Sequence, residues 1–83
     1  MTNPLQPLID RVAPGWIRDM GVPTEWIPDL LALDQALAAL DPDYLIFQVK
    51  TKFGGLRYYA ATDKDDIRSE FRALITTTER KLY

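Results

Sequence analysis

The residues with the most distinctive chemistry lie in one segment, residues 48–60, which reads QVKTKFGGLRYYA. It contains the cations Lys50, Lys52 and Arg57, two glycines and two tyrosines, and it contains no acidic residue. Lysine and arginine bind carboxylates and phosphates, and a neighbouring tyrosine can pack against a protein partner or stack on a base. These residue types therefore indicate a binding site for an anionic surface.

Catalytic and metal-binding chemistry is poorly represented in the sequence. The chain has no histidine and no cysteine, so it lacks the usual general base, the thiolate nucleophile and the commonest zinc ligands. The acidic run DKDD at 63–66 does not have the spacing of a calcium loop, and it suits the first turn of a helix. Ser69 and the threonines at 76–78 have no partner base. We therefore expect no enzymatic activity, no metal and no other cofactor.

Length and composition are those of one small globular domain. The chain has 83 residues, of which 47% are hydrophobic and 27% charged, so a single domain over residues 1–83 is predicted. No apolar run approaches the roughly 20 residues of a membrane-spanning helix. The first ten residues lack the basic and apolar regions of a signal peptide. We expect a soluble cytoplasmic protein with no membrane partner.

Charge is distributed unevenly along the chain, whose net charge is −2. Residues 1–43 hold seven acids and two cations, residues 44–62 hold three cations and no acid, and residues 63–83 hold five charges of each sign. A polyanion that binds the whole surface is therefore disfavoured, whereas a local cationic patch is predicted.

The spacing of apolar residues predicts two helices in the first half of the chain. The first begins at Pro4 and ends before the breaker Pro14-Gly15. The second is capped by Thr24, begins at Glu25 or Pro28 and ends at Leu40. Its apolar stripe consists of Leu30, Leu33, Leu37 and Leu40.

From Tyr44 onward the residues alternate with period two, which indicates a β-strand with Tyr44 and Ile46 on the side opposite Val49. The dipeptide Gly54-Gly55 is a typical two-residue hairpin loop, after which Leu56 begins a second strand. A third helix follows, with Thr62 or Asp63 as its N-cap and a buried stripe of Ile67, Phe71, Leu74, Ile75, Thr78 and Leu82. The predicted fold class is α+β: a small single domain of order α-α-β-β-α, with an antiparallel two-stranded hairpin packed against helices.

A loop at Gly54-Gly55 determines which residues share a face of the hairpin. It pairs Lys52 with Arg57 and Lys50 with Tyr59. The predicted core side carries Phe47, Val49, Thr51, Phe53, Leu56, Tyr58 and Ala60. The opposite side carries Gln48, Lys50, Lys52, Arg57 and Tyr59, and from these we predict Lys50, Lys52, Arg57 and Tyr59 as the partner-binding residues. Their charge is balanced either by acids of this chain (Asp29, Asp34, Asp41, Asp43) or by a foreign partner.

The segment VKTKFGGLRYY resembles the signature K-x-K-F-G-[GT]-L-R-[FY]-Y of a family of small uncharacterised bacteriophage and prophage proteins. The segments PGWIRDM at 14–20 and IPDLLALDQALAAL at 27–40 are similar to its "GW" segment and leucine-rich helix, so the resemblance extends loosely over residues 16–82. Many of those proteins carry a C-terminal C-x-x-C-G cysteine pair, which this sequence lacks, so no metal or redox role follows. The resemblance implies a phage origin and an accessory role in the cytoplasm of the bacterial host.

Three binding functions remain open from the sequence. The first is binding of a host protein with an acidic patch through the Lys/Arg/Tyr hairpin face. The alternatives are weak binding of a nucleic-acid phosphate backbone and a structural homodimer with no separate ligand. Nucleic acid is the weaker candidate, because independent DNA-binding domains usually have an excess of basic residues. Trp16 and Trp26 are expected in the core, and an exposed one would anchor a partner.

Overall fold

The computed structural model describes residues 3–82, so Met1, Thr2 and Tyr83, the ends of the predicted domain 1–83, lie outside the described residues. Three helices and two strands follow each other in this range: α1 Gln6–Ile9, α2 Ile27–Leu40, β1 Leu45–Lys52, β2 Gly55–Ala61 and α3 Arg68–Lys81. The strands form one antiparallel sheet. The predicted α+β class and the order α-α-β-β-α are confirmed.

One hydrophobic core lies between the helices and one face of the hairpin. The two long helices contribute buried residues from the predicted stripes, and the hairpin contributes its own apolar face. These residues are Leu30, Leu33 and Leu37 of α2, Phe71 and Ile75 of α3, and Ile46, Val49, Leu56 and Tyr58 of the hairpin. Full burial of a large apolar side chain contributes about 1.5–3 kcal/mol. The helices therefore hold the hairpin by one face only.

Both long helices begin with a 3-10 turn, at Thr24–Trp26 and Asp65–Ile67. Thr24 lies inside the first of these turns, and no side chain caps either the turn or α2. The predicted N-cap at Thr24 is therefore wrong. Pro28 explains why α2 begins at Ile27 and not at Glu25. A proline is accommodated only in the first turn of a helix, where its missing amide has no hydrogen-bond partner to lose.

Neither Thr62 nor Asp63 caps α3, because the 3-10 turn that precedes the helix begins after Lys64 and no side chain caps that turn or α3. The Thr62 hydroxyl binds Asp41 instead. Thr62 Oγ1 donates to Asp41 Oδ2 at 2.6 Å, and the Asp43 amide donates to Asp41 Oδ1 at 3.0 Å. Asp41 is only 4% exposed. The hydrogen bond from Thr62 is the largest of the effects that hold the pKa of Asp41 below its ordinary value. This contact ties the end of α2 to the end of β2.

The hairpin turn lies at Phe53-Gly54, one residue before the predicted Gly54-Gly55 loop. Phe53 and Gly54 have φ angles of 53° and 79°, and positive φ at both central residues is the mark of a type I′ turn. Lys50 therefore pairs with Arg57 and Lys52 with Gly55, so the predicted register is wrong. A two-residue loop displaced by one position shifts the partners by two, which leaves every side chain on the same face. Apolar alternation cannot distinguish the two registers.

A β-bulge at Phe47 changes the phase of β1. Ile46 pairs with Ala60 and Gln48 with Tyr59, so that Phe47 has no partner in β2. The extra residue turns Tyr44 and Ile46 into the core, although alternation predicted both on the opposite side.

Three residues predicted on the core side are also placed differently. Phe47 is half-buried, Thr51 is exposed beside the turn, and Phe53 is 86% exposed within the turn. The bulge accounts for Phe47 and the position of the turn accounts for Phe53.

The segment before α2 covers the free edge of β1. The Ala13 amide donates to the Ile46 carbonyl at 2.9 Å, and the Ile46 amide donates to the Arg11 carbonyl at 2.9 Å. Further along the strand, Thr51 Oγ1 donates to the Gly21 carbonyl at 2.8 Å. An edge paired in this way cannot recruit another strand. No helix within residues 3–82 has the length and apolar character that crossing a membrane requires.

The substitution Thr62→Val is expected to lower the free energy of unfolding at pH 7 by about 1–3 kcal/mol, because it leaves the Oδ2 atom of the buried Asp41 carboxylate without its donor. The pKa of Asp41 is lower in the folded than in the unfolded state. The stabilisation is therefore present above about pH 4, the ordinary Asp range, and is lost as the pH falls through the folded pKa. Urea unfolding at pH 7 and pH 3 tests this, with Thr77→Val as an exposed control. A difference of the same size at both pH values would contradict it.

Replacing Phe53 by asparagine is expected to raise the free energy of unfolding by about 0.5–1 kcal/mol, because asparagine tolerates the left-handed region better and little packing is lost. In contrast, Gly54→Ala is expected to lower it by about 1 kcal/mol. An added Cβ at Gly54 meets no atom within 4 Å, so only the backbone conformation opposes it. Chemical denaturation measures both. Destabilisation by Phe53→Asn would show that the ring contributes to the fold.

Candidate protein-binding face of the hairpin

The hairpin side opposite the core is called the outer face, and it consists of Leu45, Gln48, Lys50, Lys52, Arg57 and Tyr59. Lys50 lies directly across from Arg57, and Gln48 directly across from Tyr59. Lys52 follows Lys50 by two residues and so shares its face. The structure thus brings together all four predicted site residues, Lys50, Lys52, Arg57 and Tyr59, in a register different from the predicted one.

The cations of the outer face have no acidic partner within residues 3–82. The ion pairs in this range join other residues. Asp29 and Asp34, two of the acids considered as internal partners, form ion pairs with cations elsewhere. A third, Asp41, accepts hydrogen bonds from a threonine and from a backbone amide. The positive charge of the outer face is therefore not neutralised within the described part of the chain.

Aromatic rings lie near two of these cations. Lys50 Nζ is 6.0 Å from the centre of the Tyr59 ring, and Lys52 Nζ is 5.7 Å from that of Phe53. Contacts of this kind contribute about 0.5–1 kcal/mol at exposed sites. The repulsion between Lys50 and the directly opposed Arg57 acts against them, with a magnitude of about 0.2–1 kcal/mol. The rings thus support the cations without neutralising their charge.

Exposed apolar side chains accompany the cationic residues. They are Trp16, Ile17, Leu45, Phe53 and Tyr59. Trp16 is 53% exposed, and its ring packs on Phe47 with centroids 5.2 Å apart. Trp26 is half-buried and packs against the core. Of the two tryptophans expected in the core, Trp16 is therefore at the surface, and it is attached to the hairpin through Phe47.

A second polar constellation lies inside the molecule. Arg11 Nε is 2.6 Å from Asp34 Oδ1, the Tyr44 hydroxyl donates to the same oxygen at 2.5 Å, and the hydroxyls of Tyr44 and Tyr58 are 2.7 Å apart. Arg11 Nη1 also donates to the Pro42 carbonyl at 2.8 Å. The guanidinium carbon lies 4.7 Å from the centre of the Tyr44 ring. This set of bonds joins the segment after α1 to α2 and to both strands.

The environment of this cluster indicates a structural role. Burial is the main cause that raises the pKa of both Tyr44 and Tyr58 far above the ordinary tyrosine value, and the nearby Asp34 carboxylate raises them further. Both phenols are therefore neutral hydrogen-bonding groups at physiological pH. Asp34 is only 5% exposed, so a substrate cannot reach its carboxylate.

Sequence reasoning missed this cluster because it assigned Tyr44 to the opposite face and considered Asp34 only as a possible counter-charge for the hairpin cations. The available signal was the position of Asp34, four residues after Leu30 and three before Leu37, within the apolar stripe of α2. A carboxylate on a buried stripe needs partners that compensate for its lost hydration. Such a position predicts an internal ion pair.

The acidic run at 63–66 gives no sign of a metal site. Asp65 Oδ1 is 2.7 Å from Arg68 Nη2, three residues further along the chain. Across residues 3–82, no group of three or more acidic side chains is arranged to hold a metal ion.

Comparisons of this chain with protein-family models, with curated proteins and with solved structures found no match. The resemblance of the hairpin to a phage signature therefore stays a prediction. The assignment of a functional site depends on the geometry and charge of the outer face.

The substitution Asp34→Ala is expected to lower the free energy of unfolding by about 3–5 kcal/mol, because it leaves Arg11 and Tyr44 without their acceptor. Tyr58→Phe removes only the last hydroxyl of the cluster and is expected to cost about 1 kcal/mol. Urea unfolding at pH 7 measures both, with the exposed Asp63→Ala as a control. An Asp34→Ala protein that is largely unfolded in buffer agrees with this expectation, whereas a loss below 1 kcal/mol contradicts it.

Proposed function

We propose that this protein is a non-enzymatic binding protein whose outer face docks on an acidic patch of a partner protein. One observation carries the proposal. Lys50, Lys52 and Arg57 lie together on the side of the hairpin opposite the core, with Lys52 exposed and the other two half-buried, and no acid within residues 3–82 pairs with them. Cations held close together in this way repel one another, and an acidic partner relieves that repulsion.

The composition of the outer face favours a protein as the partner. Arginine and tyrosine are enriched among the residues that contribute most to binding energy in protein interfaces. Leu45 and Tyr59 add exposed apolar area on the same face. The complementary surface therefore combines acidic side chains with an apolar spot. Electrostatic attraction would mainly increase the rate of association, and the apolar contacts would slow dissociation.

The conformation of Phe53 supports the same proposal. A bulky residue with positive φ is an outlier that costs about 1–2 kcal/mol, yet the ring is 86% exposed and is not part of the core. Strain that the fold does not require is found most often at functional sites. We expect Phe53, at the tip of the hairpin beside Lys52, to enter the apolar spot of the partner.

The biological setting is part of the proposal. The resemblance of VKTKFGGLRYY to the signature of phage and prophage proteins supports an accessory protein that acts on a host protein in the bacterial cytoplasm.

The phosphate-backbone and homodimer alternatives predict different behaviour. Binding to a phosphate backbone falls steeply with salt and tolerates many base sequences, and a homodimer forms without any host component.

A pull-down from bacterial lysate tests the proposal with two triple variants. The first replaces Lys50, Lys52 and Arg57 by alanine. The second is a matched control that replaces Arg18, Lys64 and Arg80, three exposed cations with no ion pair within residues 3–82. Both remove three positive charges, so that the two variants have the same net charge. Circular dichroism and urea unfolding confirm that both variants fold.

We expect the native protein and the control variant to capture the same protein, and the hairpin variant to lose at least about nine-tenths of it, a factor of ten that corresponds to 1.4 kcal/mol. Equal capture by all three proteins, or capture of nothing by any of them, would contradict the proposal. Nucleic acid that the native protein and the control variant capture, and the hairpin variant does not, would favour the phosphate-backbone alternative.

A further inference from the structure

The two edges of the sheet are covered differently. The segment before α2 pairs with the edge of β1, whereas the edge of β2 faces helix α3. The Leu56 amide donates to the Leu82 carbonyl at 3.1 Å, and the Tyr58 amide donates to Glu79 Oε2 at 3.0 Å. Along β2, the hydrogen-bond partner changes from Leu82, just after α3, to Glu79 within α3. The helix therefore runs antiparallel to the strand along its free edge.

A groove lies between β2 and α3 beyond the Leu56–Leu82 hydrogen bond, and Tyr58 and Glu79 line one end of it. It consists of two neighbouring clefts with volumes of about 270 and 370 Å³. Ala60 and Thr62 line the first cleft and Arg57 lines the second, while Arg72 lines both. We call this combined feature the edge groove.

The backbone of β2 offers hydrogen-bonding groups to the edge groove. In an antiparallel strand, every second residue turns both its amide and its carbonyl to the same edge. Because the amides of Leu56 and Tyr58 point away from β1, the amide and carbonyl of Ala60 point the same way, and Ala60 lines the groove. An added strand would pair with Ala60 and with the Tyr58 carbonyl. It would displace the side chain of Glu79 from the Tyr58 amide and that of Arg68 from the Thr62 carbonyl.

The charges around the groove select an acidic occupant. Arg57 and Arg72 line it, and neither forms an ion pair within residues 3–82. Arg68 lines the first cleft and is paired with an exposed aspartate. Glu79 is the acidic side chain that lines the second cleft. Ala60 and Ala61 line the first cleft, so apolar side chains of a ligand would find contacts as well.

We propose that the edge groove binds an extended peptide of alternating acidic and apolar residues, which adds to β2 as a third strand. Backbone hydrogen bonds to an exposed strand edge, with side-chain pockets along an adjacent helix, are a general mode of peptide recognition. The inference rests on the proposed function, in that the peptide belongs to the acidic partner of the outer face. Arg57 borders both surfaces, so one acidic partner can occupy the two together.

The test titrates a capped eight-residue peptide of alternating Glu and Val into the ¹⁵N-labelled protein. We expect the amide signals of Ala60 and Thr62 to shift and the Ala60 amide to exchange more slowly with solvent. A peptide of alternating Lys and Val should not bind. Two further peptides are methylated at their odd-numbered or at their even-numbered backbone nitrogens. Only one of these two sets of amides faces β2, so only one of the two methylated peptides should lose binding.

Two charge-reversal variants locate the binding. Arg72→Glu should weaken the affinity for the Glu/Val peptide about tenfold or more, whereas Arg80→Glu, the same change outside the groove, should leave it within about twofold. Binding that is insensitive to Arg72→Glu, insensitive to both methylated sets, or absent at millimolar peptide would overturn the inference. Shifts confined to Lys50 and Lys52 would also overturn it.

A third variant separates this inference from the proposed function. Lys52 belongs to the outer face and does not line the groove, so Lys52→Glu should spare binding of the Glu/Val peptide and reduce capture of the partner protein. If the Glu/Val peptide does not bind the edge groove while Lys52→Glu still reduces capture of the partner protein, only the strand-addition inference is lost. If Lys52→Glu does not affect capture while the peptide binds as expected, the outer face is wrong and the groove stands.

Discussion

The carboxylate of Asp34 is the buried charge on which the arrangement of the other elements depends. Taken out of water on the apolar stripe of α2, it requires both Arg11 and Tyr44 as hydrogen-bond donors. Arg11 belongs to the segment that lies along the edge of β1, and the Tyr44 hydroxyl is hydrogen-bonded to the hydroxyl of Tyr58 in β2. One oxygen atom thus determines how the segment after α1, the helix and the hairpin meet.

This internal use of acids explains the character of the surface. The first half of the chain is rich in carboxylates, but Asp34 and Asp41 are directed inward, where they organise the core and the end of α2. A two-stranded sheet offers only one face to the helices, and its other face remains open to solvent. The cations of the hairpin lie on that open face, and the buried acids do not form ion pairs with them. Charge separation within a small molecule is the physical basis of the binding role proposed above.

The regular features of the fold could be predicted from the sequence. The leucine stripe of α2 and the apolar stripe of α3 have helical spacing, and every residue of the outer face except Leu45 was identified although the register was not. The face was predicted correctly because an error of two positions in the register preserves alternation.

The departures from prediction each depend on tertiary contacts. Nothing local to Phe47 indicates a bulge, and Gly54-Gly55 satisfies the rules of a hairpin loop better than Phe53-Gly54 does. In the observed register, Leu56 is buried and its amide bonds to the Leu82 carbonyl, a contact between residues far apart in sequence. The edge groove likewise exists only because α3 runs beside β2. It could not be inferred before the helix was placed.

The turn at Phe53-Gly54 also has a consequence for the order of folding. A phenylalanine in the left-handed region makes a poor initiator, so the hairpin does not form by nucleating at its tip. We expect contacts of Val49, Tyr58 and Leu56 with the helices to bring the strands together first, and pairing then to proceed outward. We therefore expect the tip to be the last part of the sheet to form and the first to open, at a free energy below that of global unfolding. A partner would therefore meet Lys52 and Phe53 on a locally adaptable end of an otherwise firmly held sheet.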